Sequence, residues 1–348
     1  MNFTFFKISG RKINMENKKL RVALLAGGTS PEREVSKSSG SSIYKALLSL
    51  GYETKLIDPA YGKNQPTDSE AFFSEADFAE ISTRNYIEVI NSDLFDDVDI
   101  AFLGLHGKWG EDGTIQSLLE MRGIKYTGSN ILASANGMDK EMSKILFRHF
   151  NVSTPEWLVI ENSKFDLNGI QSSIENKFGY PCVIKPNDQG STVGLTVCKN
   201  KNEVKGAIEL ALSFSKKALI EEYIDGHELT VAVLENKALP VLEIKPKHGL
   251  YDYECKYTKG MSEYIVPAQI PENVFMELQK ESEEAFKALG CSVYGRLDYR
   301  MSNDFKIYCL EVNTLPGMTS TSLVPKMAKA VGISFEELID KIINLSLK

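Results

Sequence analysis

Long apolar runs are missing from this chain. Across 348 residues, no stretch approaches the ~18 uncharged apolar residues of a membrane-spanning helix, so no transmembrane helix and no membrane partner are expected. An excess of basic charge is missing too. The formal net charge is -7 and the pI about 5.4, which argues against a mainly electrostatic nucleic-acid or anionic-membrane partner. Cysteine is scarce. Cys182, Cys198, Cys255, Cys291 and Cys309 are odd in number and none has CxxC spacing. Free thiols in a reducing compartment are expected, rather than a disulfide framework or a zinc site. The N-terminus has only a short, broken apolar run and no small-residue cleavage site, so it makes a poor signal peptide and a cytoplasmic location is expected. Internal repeats and low-complexity tracts are absent.

What is present is ordinary globular composition: 43% apolar and 25% charged residues. At ~100–200 residues per domain, the length suggests two or three domains. The segment 20–26 reads as a buried strand running into Gly27-Gly28-Thr29-Ser30-Pro31-Glu32 and a helix to about Ser49. Thr29 and Glu32 have the spacing of a capping box. Further strands are expected at 54–58 and 99–105, a loop-rich insertion at 60–80 and a helix at 115–121. This alternation implies a parallel α/β domain over about 19–128, after a tail at 1–18. One helix is expected from 138 to about 151. Beyond it come a central part to 221 and a strand-richer, α+β part over 222–348. The expected fold class is therefore α/β, turning to α+β in the C-terminal half.

Several constellations carry chemistry. Asp188-Gln-Gly-Ser191-Thr-Val-Gly194 lies between two strands; glycines and small hydroxyls suit a loop folded over phosphates, or a plain hairpin turn. Lys185 precedes it, and Lys140 opens a helix; two lysines there could neutralise a polyphosphate, although isolated lysines are usually solvated. Arg296 and Asp298 share one strand face, and Glu311 and Asn313 share a face of the next strand. Oxygen donors crowded in this way suit Mg²⁺ bridged to nucleotide phosphates better than a salt-bridge cluster. The segment from Asn313 through Gly317 to Ser322 and Leu323 ends at a helix N-terminus. There, N–H groups favour a carboxylate or an oxyanion, and simple serine capping is compatible with that. Tyr251 to Gly260 sits in a long aperiodic segment, about 247–263, that reads as a lid or a charged surface loop. His106 follows a buried strand, where α/β sheets bind ligands.

Taken together, six segments resemble the D-alanine–D-alanine ligase family of the ATP-grasp superfamily. They are GGTSPEREVS at 27–36, LHGKWGEDGT at 105–114, KPNDQGSTVG at 185–194, YDYECKY at 251–257, GRLD at 295–298 and LEVNTLPGMT at 310–319. Each alone is weak; the six in order are specific, and the resemblance runs from about 20 to 346. It implies an ATP-grasp fold behind the N-terminal α/β domain, and ATP-dependent joining of two D-alanines through an acyl phosphate for the cell wall. A D-alanine–D-lactate ligase or another carboxylate–amine ligase of the same fold is the alternative.

The resemblance also implies roles. Lys140, Lys185 and the loop at Ser191 would hold the ATP phosphates, and Lys256 would belong to the nucleotide site. Glu221, Glu222, Ile224 and Glu228 would line the adenine and ribose site. Asp298, Glu311 and Asn313 would hold two Mg²⁺, with Mn²⁺ as a substitute. Glu32 would pair with the first D-alanine's ammonium, near His106. Ser322 and Leu323 would hold the second substrate's carboxylate, and Arg296 with the Gly317 N–H would stabilise the oxyanion. Tyr257, Ser191 and Glu32 would close the lid against water. A homodimer through the N-terminal domain is implied as well.

Overall fold

The structure is a computed structural model and describes residues 20–161, 164–247 and 260–348. Lys256 and Tyr257, with the central part of the expected lid, lie outside the described residues.

The chain opens with β1 (Arg21–Leu25) and α1 (Arg33–Ser49), then β2 (Glu53–Ile57), the short helices α2 (Ser69–Phe72) and α3 (Asn85–Ile90), and β3 (Ile100–Leu103). The three strands form a parallel sheet in the order β2-β1-β3. Its centre is a run of apolar side chains, buried on both faces as parallel sheets require. The expected alternation is thus present. The expected capping box is not: Glu32 occupies the N-cap of α1 without a side-chain cap. Ser30 Oγ accepts the Glu32 N–H at 3.1 Å, and Thr29 Oγ1 is buried with no hydrogen-bond partner among the described residues. The Glu32 carboxylate has turned away from its own helix to accept a hydrogen bond from Ser191 Oγ.

The helix expected from 138 to about 151 is present from Lys140, and a further helix that was not expected precedes it. After α4 (Thr114–Arg122), α5 (Ile131–Met138) stops at Asp139, and α6 (Lys140–His149) starts there. Asp139 is extended and accepts the Met142 N–H at 2.9 Å, so it caps the second helix and breaks the first. The next unit holds β4 (Trp157–Ile160), α7 (Leu167–Lys177), β5 (Cys182–Pro186), β6 (Thr196–Cys198), α8 (Val204–Phe214) and β7 (Ala218–Glu222). Its four strands are antiparallel in the order β4-β7-β5-β6.

A second antiparallel sheet follows, from β8 (Gly226–Leu234), β9 (Lys237–Ala238), β10 (Leu242–Pro246), β11 (Ser262–Ile265), β12 (Tyr294–Ser302) and β13 (Ile307–Asn313), backed by α9 (Glu272–Ala288). On β12 the burial alternates along most of the strand, one face in the core and the other toward the cleft. The C-terminal helices α10 (Leu323–Ala330) and α11 (Phe335–Leu347) return to the first unit. Leu338, Ile339, Ile342 and Ile343 share one apolar core with the parallel sheet, and Tyr52 donates to Asp340 at 2.6 Å. No described helix is long and apolar enough to cross a membrane. The four described cysteines are buried, free thiols.

Candidate active site

The loop after β5 is pinned at its start. Lys140 N–H donates to Asn187 O at 3.1 Å, Glu141 N–H to Asn187 Oδ1 at 2.8 Å, and Asn187 Nδ2 to Asp139 Oδ1 at 2.8 Å. Further along, Lys140 Nζ donates to Gln189 O at 2.8 Å. Ser191 and Thr192 then adopt left-handed backbone (φ 51° and 64°), which non-glycine residues seldom do. The tip of the loop is thereby bent against Glu32 of the first unit: a Cβ on Gly190 would come within 3.0 Å of its Oε1.

Lys185 on β5 and Glu221 on β7 form a buried ion pair at 2.5 Å. Glu221 also meets Lys144 Nζ at 2.7 Å. Burial alone would push the Glu221 carboxyl up, but Lys144 and Lys185 outweigh it and hold the carboxyl below its ordinary value. Lys185, Glu221, Glu222, Ile224 and Glu228 line one cavity with Lys140 and the Ser191 loop. Arg300 lines it too, and its guanidinium donates to Ile224 O at 3.1 Å and Gly226 O at 3.0 Å while lying 3.5 Å from Glu228. The turn between β7 and β8 is thereby fixed from β12.

On the second sheet, Asp298 sits directly across from Glu311, and Arg296 across from Asn313. The shared faces expected from the two-residue spacing therefore meet in one place. Arg296 grips Asp298 with two hydrogen bonds, of 2.9 and 2.7 Å. Thr230 Oγ1 and Asn313 Nδ2 donate to the same carboxylate at 2.7 and 3.0 Å. Glu311 is paired with Lys140 at 3.0 Å. No group of three or more His, Cys, Asp or Glu suited to a metal occurs among the described residues; the set here is two carboxylates and an amide. That oxygen-only set fits a hard cation such as Mg²⁺, which completes its shell with phosphate oxygens and water.

A second cavity lies toward the N-terminal unit. Glu32, His106, Gly317, Ser322 and Leu323 line it, with Ser39 and Glu111. His106 is buried, and burial depresses its pKa despite Glu32 nearby. Its Nδ1 faces Leu315 O at 2.9 Å. A carbonyl can only accept, so the neutral ring carries its proton on Nδ1 and accepts from Ser39 Oγ at Nε2, 2.9 Å away. Ser39 Oγ in turn accepts the Met318 N–H at 3.1 Å. Glu111 accepts the Gly107 N–H at 2.6 Å and the Leu315 N–H at 3.2 Å. Burial, with Glu32 close by, pushes its carboxyl up to about 8. Ser322 does not cap α10 with its side chain; its Oγ accepts the Thr319 N–H at 3.0 Å and lines the cavity instead.

Every expected site residue among the described ones thus faces one of the two cavities. Sequence reasoning missed Ser39, Glu111 and Arg300, which line these cavities, and Lys144, which lies outside both and pairs with Glu221. Glu111 lay inside a quoted motif, but the other three carry no local signal. The two cavities share Gly190, Ser191, Arg296 and Glu311 as walls.

Two antiparallel sheets that close on a lysine-rich cleft, beside a parallel α/β unit, make this an ATP-grasp protein. The family model described as the D-ala D-ala ligase N-terminus matches residues 21–129, and that described as the D-ala D-ala ligase C-terminus matches residues 146–344. D-Alanine–D-alanine ligase of Halalkalibacterium halodurans is 43% identical, over 94% of this chain and 100% of its own length. The crystal structure of D-alanine–D-alanine ligase from Bacillus anthracis superposes with TM-score 0.76 and 34% identity, over 94% of this chain and 97% of that one. VanG D-Ala:D-Ser ligase of Enterococcus faecalis gives TM-score 0.79 at 31% identity, over 94% and 100%. The chain belongs to the D-alanine–D-alanine ligase family.

Proposed function

We infer that the protein joins two D-alanines to D-alanyl-D-alanine with conversion of ATP to ADP and phosphate, supplying a precursor of bacterial peptidoglycan. The observation that carries this reading is the shared wall of the two cavities. A phosphoryl donor in one and an amino-acid carboxylate in the other can meet only beside Gly190, Ser191, Arg296 and Glu311. The curated relative named above is a D-alanine–D-alanine ligase, so a D-lactate acceptor is not favoured.

ATP occupies the cleft between the two antiparallel sheets, with adenine and ribose against Glu221, Glu222, Ile224 and Glu228. Lys140, Lys185 and the Ser191 loop hold its phosphates, and Lys256, outside the described residues, belongs to the nucleotide site. Asp298, Glu311 and Asn313 would hold two Mg²⁺, or Mn²⁺ in their place, and the metal would supply neutralisation of charge on the transferring phosphoryl group. Glu32 takes the ammonium of the first D-alanine, beside a neutral His106. The carboxylate of that alanine attacks the γ-phosphorus, the bond to ADP breaks, and an acyl phosphate forms. Ser322 and the backbone at Leu323 take the carboxylate of the second D-alanine, and its amine attacks the acyl carbon. Arg296 and the Gly317 N–H face the oxyanion, and phosphate leaves as the peptide bond forms. Tyr257 joins Ser191 and Glu32 to exclude the water that would hydrolyse the acyl phosphate.

The division into 19–128, 129–221 and 222–348 follows this scheme: first substrate, nucleotide, then metal and second substrate; the expected tail at 1–18 lies outside the described residues. We also propose a cytoplasmic homodimer that joins through the N-terminal domain. Carboxyl-¹⁸O-labelled D-alanine tests the acyl phosphate: one labelled oxygen should appear in each phosphate released. Unlabelled phosphate would overturn the intermediate.

A further inference from the structure

Lys144 lies one helical turn beyond Lys140 on α6, on the same face. It is fully buried and lines neither cavity. Its ammonium donates to Thr154 Oγ1 at 2.7 Å and Pro155 O at 3.1 Å, and lies 2.7 Å from Glu221 Oε1. The other oxygen of the same carboxylate, Oε2, holds Lys185 Nζ at 2.5 Å. Glu221 is therefore clamped between a lysine behind the nucleotide cleft and a lysine on its wall. Burying charges is costly unless they are compensated, and this triad carries one positive charge in excess. An anion in the cleft completes the balance.

We propose that Lys144 is a positioning residue of the nucleotide site: by taking half of Glu221, it leaves Lys185 available to the ATP phosphates. Without Lys144, Glu221 and Lys185 would form a closed one-to-one buried pair. That pair would compete with the phosphates for the Lys185 ammonium, at the short distances and low local dielectric where such attraction is strong. Lys144 thus acts through Glu221 and touches no substrate. The proposal rests on the first cavity being the ATP site.

The test is a double-substitution cycle read by calorimetric binding of MgATP without amino acid, together with KM for D-alanine. Lys144→Met should weaken MgATP about tenfold or more, the scale of losing one partner of a charged pair. KM for D-alanine should stay within about twofold. In a Glu221→Gln background, the same Lys144→Met change should cost less than about twofold, because no charge is left there to capture Lys185. Lys144→Arg keeps the charge and should stay within about threefold of the parent. An equal loss in both backgrounds, an equal loss from arginine, or an unchanged Lys144→Met protein would each overturn the proposal. A parent protein that binds no MgATP would instead refute the assignment of the cleft. If Lys144→Met does not fold, as thermal unfolding would show, the arginine variant and the two variants in the Glu221→Gln background still decide the matter.

Discussion

Replacing Glu281 by glutamine should make the protein more stable at pH 8 than at pH 5, relative to the parent. Glu281 lies on α9 with 8% of its surface exposed. One carboxyl oxygen accepts the Ser153 N–H at 3.1 Å, and the other has no partner among the described residues. Burial pushes its pKa up to about 7, against an ordinary value of 4.5. A carboxyl held up in the native state keeps its proton there over an interval in which the unfolded chain has lost it. The resulting stabilisation is complete below 4.5 and is lost as pH rises through about 7. Two and a half units at about 1.36 kcal/mol each set a ceiling of about 3 kcal/mol. Glutamine copies the shape of the protonated acid and does not titrate. Urea unfolding of both proteins across pH 5–8 reads the difference between them, in which all other titrating groups cancel. That difference should move in favour of Glu281→Gln by up to about 3 kcal/mol. A difference that stays flat with pH would refute the reasoning. The segment concerned matters to the site, because Ser153 also accepts the Cys309 N–H at 2.8 Å, two residues before Glu311.

Arg296→Ala should lower turnover by roughly 10²–10³, the usual effect of losing one oxyanion donor; steady-state kinetics within threefold of the parent would remove Arg296 from that role. Gly226→Ala should destabilise the protein, because φ is +128° there and a Cβ would lie 2.2 Å from the Met301 carbonyl oxygen. Thermal unfolding unchanged from the parent would show that the strand pairing can shift to make room.

Much of the site was legible because strands alternate. Once β12 and β13 were placed, a two-residue spacing was enough to put Arg296, Asp298, Glu311 and Asn313 on one face, and the short turn between the strands put them opposite one another. The glycine loop and its lysine were legible for a similar reason, being contiguous. The capping box at Thr29 and Glu32 was misread, because local spacing cannot show that Glu32 has a stronger partner 159 residues away in Ser191. The start of α6 at Lys140 was legible, whereas α5 directly before it, ending at the capping Asp139, was not. Lys144, Ser39 and Arg300 have no local signature at all. Their roles come from tertiary neighbours: Glu221, His106 and the carbonyls of Ile224 and Gly226.

The account is tested most directly by the mass of the product formed from MgATP and D-alanine, with L-alanine, D-serine and D-lactate supplied in parallel. It predicts D-alanyl-D-alanine, one phosphate for each dipeptide, and no product from L-alanine alone. Product formed only when D-lactate or D-serine is added, or phosphate released with D-alanine but without dipeptide, would contradict it.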